Sequence, residues 1–219
     1  MKKTLLTAIL FSSFYAHAQV SEIPAVTNWS NQMNMAKDGY EVKNIDGKQY
    51  FDDNFNYVKI DGYSTNTPAT FRYNAYKDVM EFKQNDKIYE LVKLNNLIIN
   101  FPSKIYQQVD YNYDNSHFSG YLVLLVNQKF PLYKREKIIL DDGLITSNSY
   151  TDTTKKNYRK LKDIYLIKID DKFYKFPKSL KELTTLPIDV PKTEEYIKQH
   201  KLNFSKENDI IKIVEFLNQ

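Results

Sequence analysis

The chain has 219 residues, with 31 Lys and Arg against 27 Asp and Glu, 18 Tyr, 13 Phe, five Gly and no Cys. The missing cysteines exclude a disulfide framework, a thiolate metal site and a lipoprotein anchor, and five unclustered glycines exclude a phosphate-cradling loop. The formal charge of +4 is carried by signs that alternate along the chain. It is not gathered into the single basic face that a nucleic-acid binder presents.

Residues 1–18 have the three parts of a secretory signal peptide. Lys2 and Lys3 open it, an apolar run follows from Leu5 to Leu10 and on to Tyr15, and Ala16 and Ala18 are small residues at a cleavage site. The run is too short to span a bilayer, which takes ~20 residues. Cleavage after Ala18 is expected, and no membrane span follows it. About 200 residues then remain, enough to bury the core of one domain without disulfides. The same cut removes Lys2 and Lys3 and halves the formal charge of +4.

Residues 19–39 read as a lead-in segment. It is rich in Asn, has no sustained period and has at most a short helix, with Trp29 pinning it onto the domain.

From residue 40 to 176 the pattern predicts an antiparallel β domain. Phe71, Tyr73 and Ala75 alternate with Arg72, Asn74 and Tyr76, and Val79, Met80 and Phe82 follow. After Asn85-Asp86 the chain resumes with Ile88, Tyr89, Leu91 and Val92, and alternation broken by such a pair is a hairpin signature. The short apolar runs 97–101 and 121–126 read as buried strands. Turns are expected at 46–47, 85–86, 127–128 and 170–171, where an Asn or Asp precedes a Lys by two positions. These segments recur roughly every 40 residues, the spacing that either a duplication or a plain meander would leave. Lys155, Lys156, Arg159, Lys160 and Lys162 form the one local basic cluster, read as a solvated loop.

Residues 177–219 predict short C-terminal helices packed on the same domain. One covers 178–186. Pro191 opens a second, running through Glu194, Glu195, Tyr196, Ile197 and His200. Ser205 is the expected N-cap of the last, with Glu207 and Asp209 in its first turn. Ile210, Ile213, Val214 and Leu217 fall on one face of that helix. The fold class is thus α+β and β-rich: an antiparallel meander forming an open curved sheet, half-barrel or sandwich.

Several constellations bear on possible chemistry. Asp110, Asn112 and Asp114 occupy the first, third and fifth places of a calcium loop, but Asn115 stands where Gly is required and Tyr121 where a bidentate Glu is required. The same alternation reads as a strand end. Of the histidines, His117 and His200 survive signal cleavage. With no zinc-binding pair and no G-x-S-x-G elbow, a metal or cofactor is not expected. His117, beside Ser116, is a weak candidate base, and His200 belongs to a helix face. The pairs Asp52-Asp53, Asp141-Asp142 and Asp170-Asp171 are explained by turns, since strand neighbours point to opposite faces. The aromatic residues serve mainly as core and sheet rim, while any exposed strand face they line would stack on sugars or pack on another protein.

Three segments, DGKQYFDDNF (46–55), FRYNAYKDVMEFK (71–83) and the tail LKEL…EEYIKQHKLNFSKENDIIKIVEFLN, resemble a group of exported proteins of Bacteroidota, notably flavobacteria. That group has no assigned activity or catalytic residues. The resemblance therefore implies export and a soluble envelope location, and it transfers no site. The expected function is a non-enzymatic binding or interaction module, periplasmic in preference to secreted. Its partner would be an envelope protein or glycan and not nucleic acid. The competing expectation is a hydrolase of envelope or extracellular polymers acting through carboxylates.

Overall fold

The computed structural model describes residues 33–35, 45–63, 69–84, 86–141, 156–188 and 190–219. The predicted signal peptide, Trp29, Lys155 and Asp142 lie outside these residues. In chain order the strands are β1 (Met33–Met35), β2 (Asn56–Tyr57), β3 (Lys59–Ile60), β4 (Thr70–Asn74), β5 (Val79–Gln84), β6 (Lys87–Leu91), β7 (Ile98–Asn100), β8 (Ile105–Tyr113), β9 (Ser116–Val126), β10 (Leu132–Arg135), β11 (Ile138–Asp141), β12 (Asn157–Lys160), β13 (Ile164–Ile169) and β14 (Lys172–Lys175). The helices α1 (Leu180–Leu183), α2 (Pro191–Gln199) and α3 (Glu207–Leu217) follow.

The strands form a five-stranded sheet, β1-β6-β5-β4-β2, and a seven-stranded sheet, β14-β13-β10-β9-β8-β7-β3, with β11-β12 as a separate ribbon. Every ladder is antiparallel. The fold is therefore β-rich and α+β, with open sheets and short C-terminal helices. The chain crosses from the small sheet to the large one at Val58, between β2 and β3.

Period-2 patterning divides the large sheet into two faces. Tyr106, Tyr121 and Val123 face the small sheet and meet Phe71, Tyr73, Met80 and Phe82 in one core. Farther along the same face, Val126, Leu132, Ile167 and Ile169 pack under the helices against Ile197, Ile210, Ile213 and Val214. The opposite face carries Val109, Tyr111, Leu122, Leu124, Tyr133 and Leu166. It curls on itself, so that Phe173 of β14 meets Tyr111 of β8 at 5.8 Å and Tyr133 of β10 at 5.4 Å between ring centroids.

The turns at Asp86 and Asp170-Asp171 are tight, with positive φ at each residue, as the left-handed conformation of hairpin turns requires. The 127–128 segment lies in a longer connection between β9 and β10. The expected turn at 46–47 does not join two paired strands. Asp46 instead makes a parallel bridge to Asn157, and Gly47 is held at φ 83° where a Cβ would strike the Tyr158 carbonyl. The four segments thus share no common geometry. Hairpins also lie elsewhere, at 75–78 between β4 and β5, at 101–104 between β7 and β8 and at Asp114-Asn115 between β8 and β9.

Within the lead-in, residues 33–35 form an edge strand and not a helix. Arg159 and Lys160 belong to strand β12 and not to a loop. Ser205 does not cap α3. Lys206 holds the cap position without a side-chain bond, while Asp209 accepts from the Asn203 amide and Asn203 accepts from Ser205. The Asx-type turn at Asn203 replaces the expected serine cap.

Candidate functional site

An open groove of about 560 Å³ lies where the β7–β8 loop, β9 and the start of α3 come together; Phe101, Lys104, Leu125, Lys134 and Glu207 are among its lining residues. Beneath it Glu136 is almost fully buried, its side chain 3% exposed. Its carboxylate accepts from Lys104 Nζ at 2.7 Å and from Tyr106 OH at 2.9 Å. Lys134 lies 3.8 Å from Glu136 and 2.8 Å from Glu207, and Glu207 also accepts from Tyr165 OH at 3.0 Å. Burial pulls the Lys134 ammonium down, but Glu207, then Glu136 and Asp163, outweigh it and hold the group above the ordinary lysine value. Burial likewise pushes the Asp163 carboxyl up, with Lys134 opposing and Glu136 and Glu207 assisting. In this groove lysines compensate the carboxylates, and the network ties β8, the β10–β11 connection and α3 together.

A second network joins the 45–55 segment to the small sheet. Arg72 Nε reaches Glu81 at 2.7 Å, and its guanidinium lies 4.0 Å from the Tyr50 ring centroid and 4.3 Å from that of Phe55. The fully buried Asn74 donates to Glu81 and Gln49, and Gln49 donates to Tyr158 OH at 2.7 Å. Burial and Glu81 push the Tyr50 hydroxyl to about 12. The partners here are mutually satisfied, and the cluster closes the structure.

The third constellation lies on the curled face. Tyr111 stacks on Phe118 with centroids 5.4 Å apart. The Arg135 guanidinium stands 4.6 Å from the Phe118 centroid and 5.6 Å from that of Tyr113, and Lys175 Nζ lies 5.9 Å from the same Tyr113 ring. Tyr113, Phe118 and Arg135 are half-buried and Lys175 is exposed. Neither cation forms an ion pair among the described residues. The strand pairing explains the clustering: Tyr111 lies opposite Phe118 and Tyr113 opposite Ser116 in the β8–β9 register. No family model, curated protein or solved structure matches the chain.

The candidates considered from sequence disperse. Asp110 faces Ser119 in the ladder, and Asn112 faces His117, its Oδ1 lying 3.1 Å from the His117 Nδ1. Asp114 and Asn115 form the turn at φ 50° and 59°, so the calcium-like segment is a hairpin. No group of three metal-ligating side chains converges among the described residues. Ser116 and His117 are strand neighbours and point to opposite faces. His200 caps α2, its Nδ1 3.0 Å from the Tyr196 carbonyl. Asp52 holds the Asn54 amide, Asp53 pairs with Lys48, Asp141 with Arg159, and Asp171 with Lys168. Sequence reasoning missed the Lys104–Glu136–Lys134–Glu207 network, whose members come from separate segments. It also missed the Arg135–Tyr113–Phe118 stack, although β-period alternation at 111, 113 and 118 carries part of that signal.

Proposed function

We propose that the protein is an exported, non-enzymatic binding module of the cell envelope, with the aromatic and cationic rim of its curled sheet as the binding face. One contrast carries this reading. In the groove each lysine already has a carboxylate, whereas on the rim two cations lie beside half-buried rings and have no acidic partner among the described residues. Partly exposed aromatic rings and cations with no carboxylate beside them are groups that a partner can use. Residues 1–18 and the resemblance to exported Bacteroidota proteins support the envelope location, periplasmic before secreted.

The alternative, a hydrolase of envelope polymers, is supported by Asp163, whose burial holds its carboxyl above the usual range near Glu136 and Glu207. Co-sedimentation of the purified protein with envelope preparations separates the two. The binding module sediments with the envelope, loses this on Tyr113→Ala or Phe118→Ala, and releases no soluble fragments. Release of fragments that stops with Asp163→Asn overturns the binding reading in favour of the hydrolase.

A further inference from the structure

We propose that the rim formed by Tyr113, Phe118, Arg135 and Lys175 binds an anionic polysaccharide, the rings taking the sugar faces and the two cations its acidic groups. This rests on the binding-module reading and names the ligand class of the same site.

Arg135 carries the first part of the argument. Its guanidinium lies against Phe118 at 4.6 Å and Tyr113 at 5.6 Å, and none of its N–H groups bonds a protein acceptor among the described residues. A stacked guanidinium keeps its in-plane donors while losing rotamer freedom. That suits two-point recognition of a carboxylate or sulfate.

Lys175 supplies the second part, as another cation beside the same Tyr113 ring. Lys137 adds to the positive field, its ammonium donating to the Tyr76 carbonyl. Burial first, then Arg135 and Lys93 against the opposing Asp78, hold the Lys137 ammonium below its ordinary value. The local acid Asp78 is already engaged by Tyr73 OH, the Tyr121 amide and Lys93. Like charges gathered beside one hairpin repel each other, and an anionic ligand relieves that repulsion.

A mutually packed aromatic cluster supplies the third part. Tyr111, Phe118 and Phe173 hold one another at centroid distances of 5.4 and 5.8 Å about Tyr111, on a hairpin in unbroken register from Tyr106↔Val123 to Tyr113↔Ser116. The surface is therefore preorganised, which lowers the ordering cost of binding. Two point cations beside a few rings do not make the long basic track of a nucleic-acid binder.

Electrophoresis of the purified protein through gels containing polygalacturonate, dextran sulfate, neutral dextran or oligothymidylate tests the inference, with circular dichroism melts confirming that each variant folds. Wild type is expected to be retarded by polygalacturonate or dextran sulfate and not by dextran, with the retardation falling as salt rises. Arg135→Gln should weaken it at least ten-fold and Lys175→Gln several-fold, while Lys181→Gln on exposed α1 leaves it unchanged. Full retardation of the folded Arg135→Gln/Lys175→Gln double variant overturns the inference, as does wild-type mobility unaffected by either anionic polymer. Equal retardation by neutral dextran, lost in Phe118→Ala, overturns the anionic class yet leaves the binding module standing. Tighter binding of oligothymidylate overturns the glycan class.

Discussion

Asp78 joins the two sheets with a single carboxylate. Its Oδ1 accepts from Tyr73 OH at 2.8 Å and from the Tyr121 amide at 3.0 Å, and its Oδ2 lies 3.3 Å from Lys93 Nζ. Lys93 in turn donates to the Ser119 carbonyl at 2.6 Å. β10 ends at Arg135, so the side of β9 beyond Leu122 has no strand neighbour from β10. The Asp78–Lys93 pair takes that place and satisfies the edge donor and acceptor. Gly120 sits between these two bonds because a Cβ there would strike the Asp78 carboxylate. Gly120→Ala is expected to destabilise the fold by about 1–3 kcal/mol, measured as a lower urea midpoint. A neutral result would show that Asp78 has room to move. Neither Asp78 nor Gly120 was legible in the sequence, because the contact depends on where β10 turns away.

Helix α3 belongs to the core of the large sheet. Ile210, Ile213 and Val214 are buried against Val126, Leu132 and Ile167. Asn218 accepts from the Phe130 amide at 2.7 Å and donates to its carbonyl at 3.3 Å, fastening the helix end to the β9–β10 connection. Ile213→Ala removes methyl groups from a fully buried site and should cost about 2–5 kcal/mol. Thermal melts check this, and an unchanged melting temperature would make the helix a loose attachment. The apolar stripe of α3 and the Pro191 start of α2 were legible because both are local, periodic signals. The cap of α3 was not, since Asn203 and Asp209 bond across a turn that a serine-based rule does not anticipate. Among the hairpins, Asp170-Asp171 was legible for the same local reason. Asp46 was not, because its partner Asn157 arrives from a distant segment.

Across the whole molecule the aromatic excess went mostly where β propensity sends it, into the cores, and Tyr57 alone among the large apolar side chains of the described residues is as much as 72% exposed. Burial comes first among the causes that raise the hydroxyls of Tyr50, Tyr73, Tyr106, Tyr111, Tyr121, Tyr133 and Tyr165. A folded value above the unfolded one means that the unfolded chain gives up protons first as pH rises. Stability is then intact below about pH 10, the unfolded tyrosine value, and falls above it. Urea midpoints should therefore hold up to about pH 10 and drop sharply between about pH 10 and 12, with tyrosinate absorbance rising together with loss of the fold. Gradual tyrosine titration in an intact fold would contradict this. The same sheet arrangement has a consequence for exchange with solvent deuterium. The acceptor of the Tyr121 amide belongs to the β4–β5 turn of the other sheet. Its protection therefore lasts only while the two sheets stay docked. The exchange rate of that one backbone proton, set against the ladder protons of its own strand, reports how often the sheets part without either unfolding.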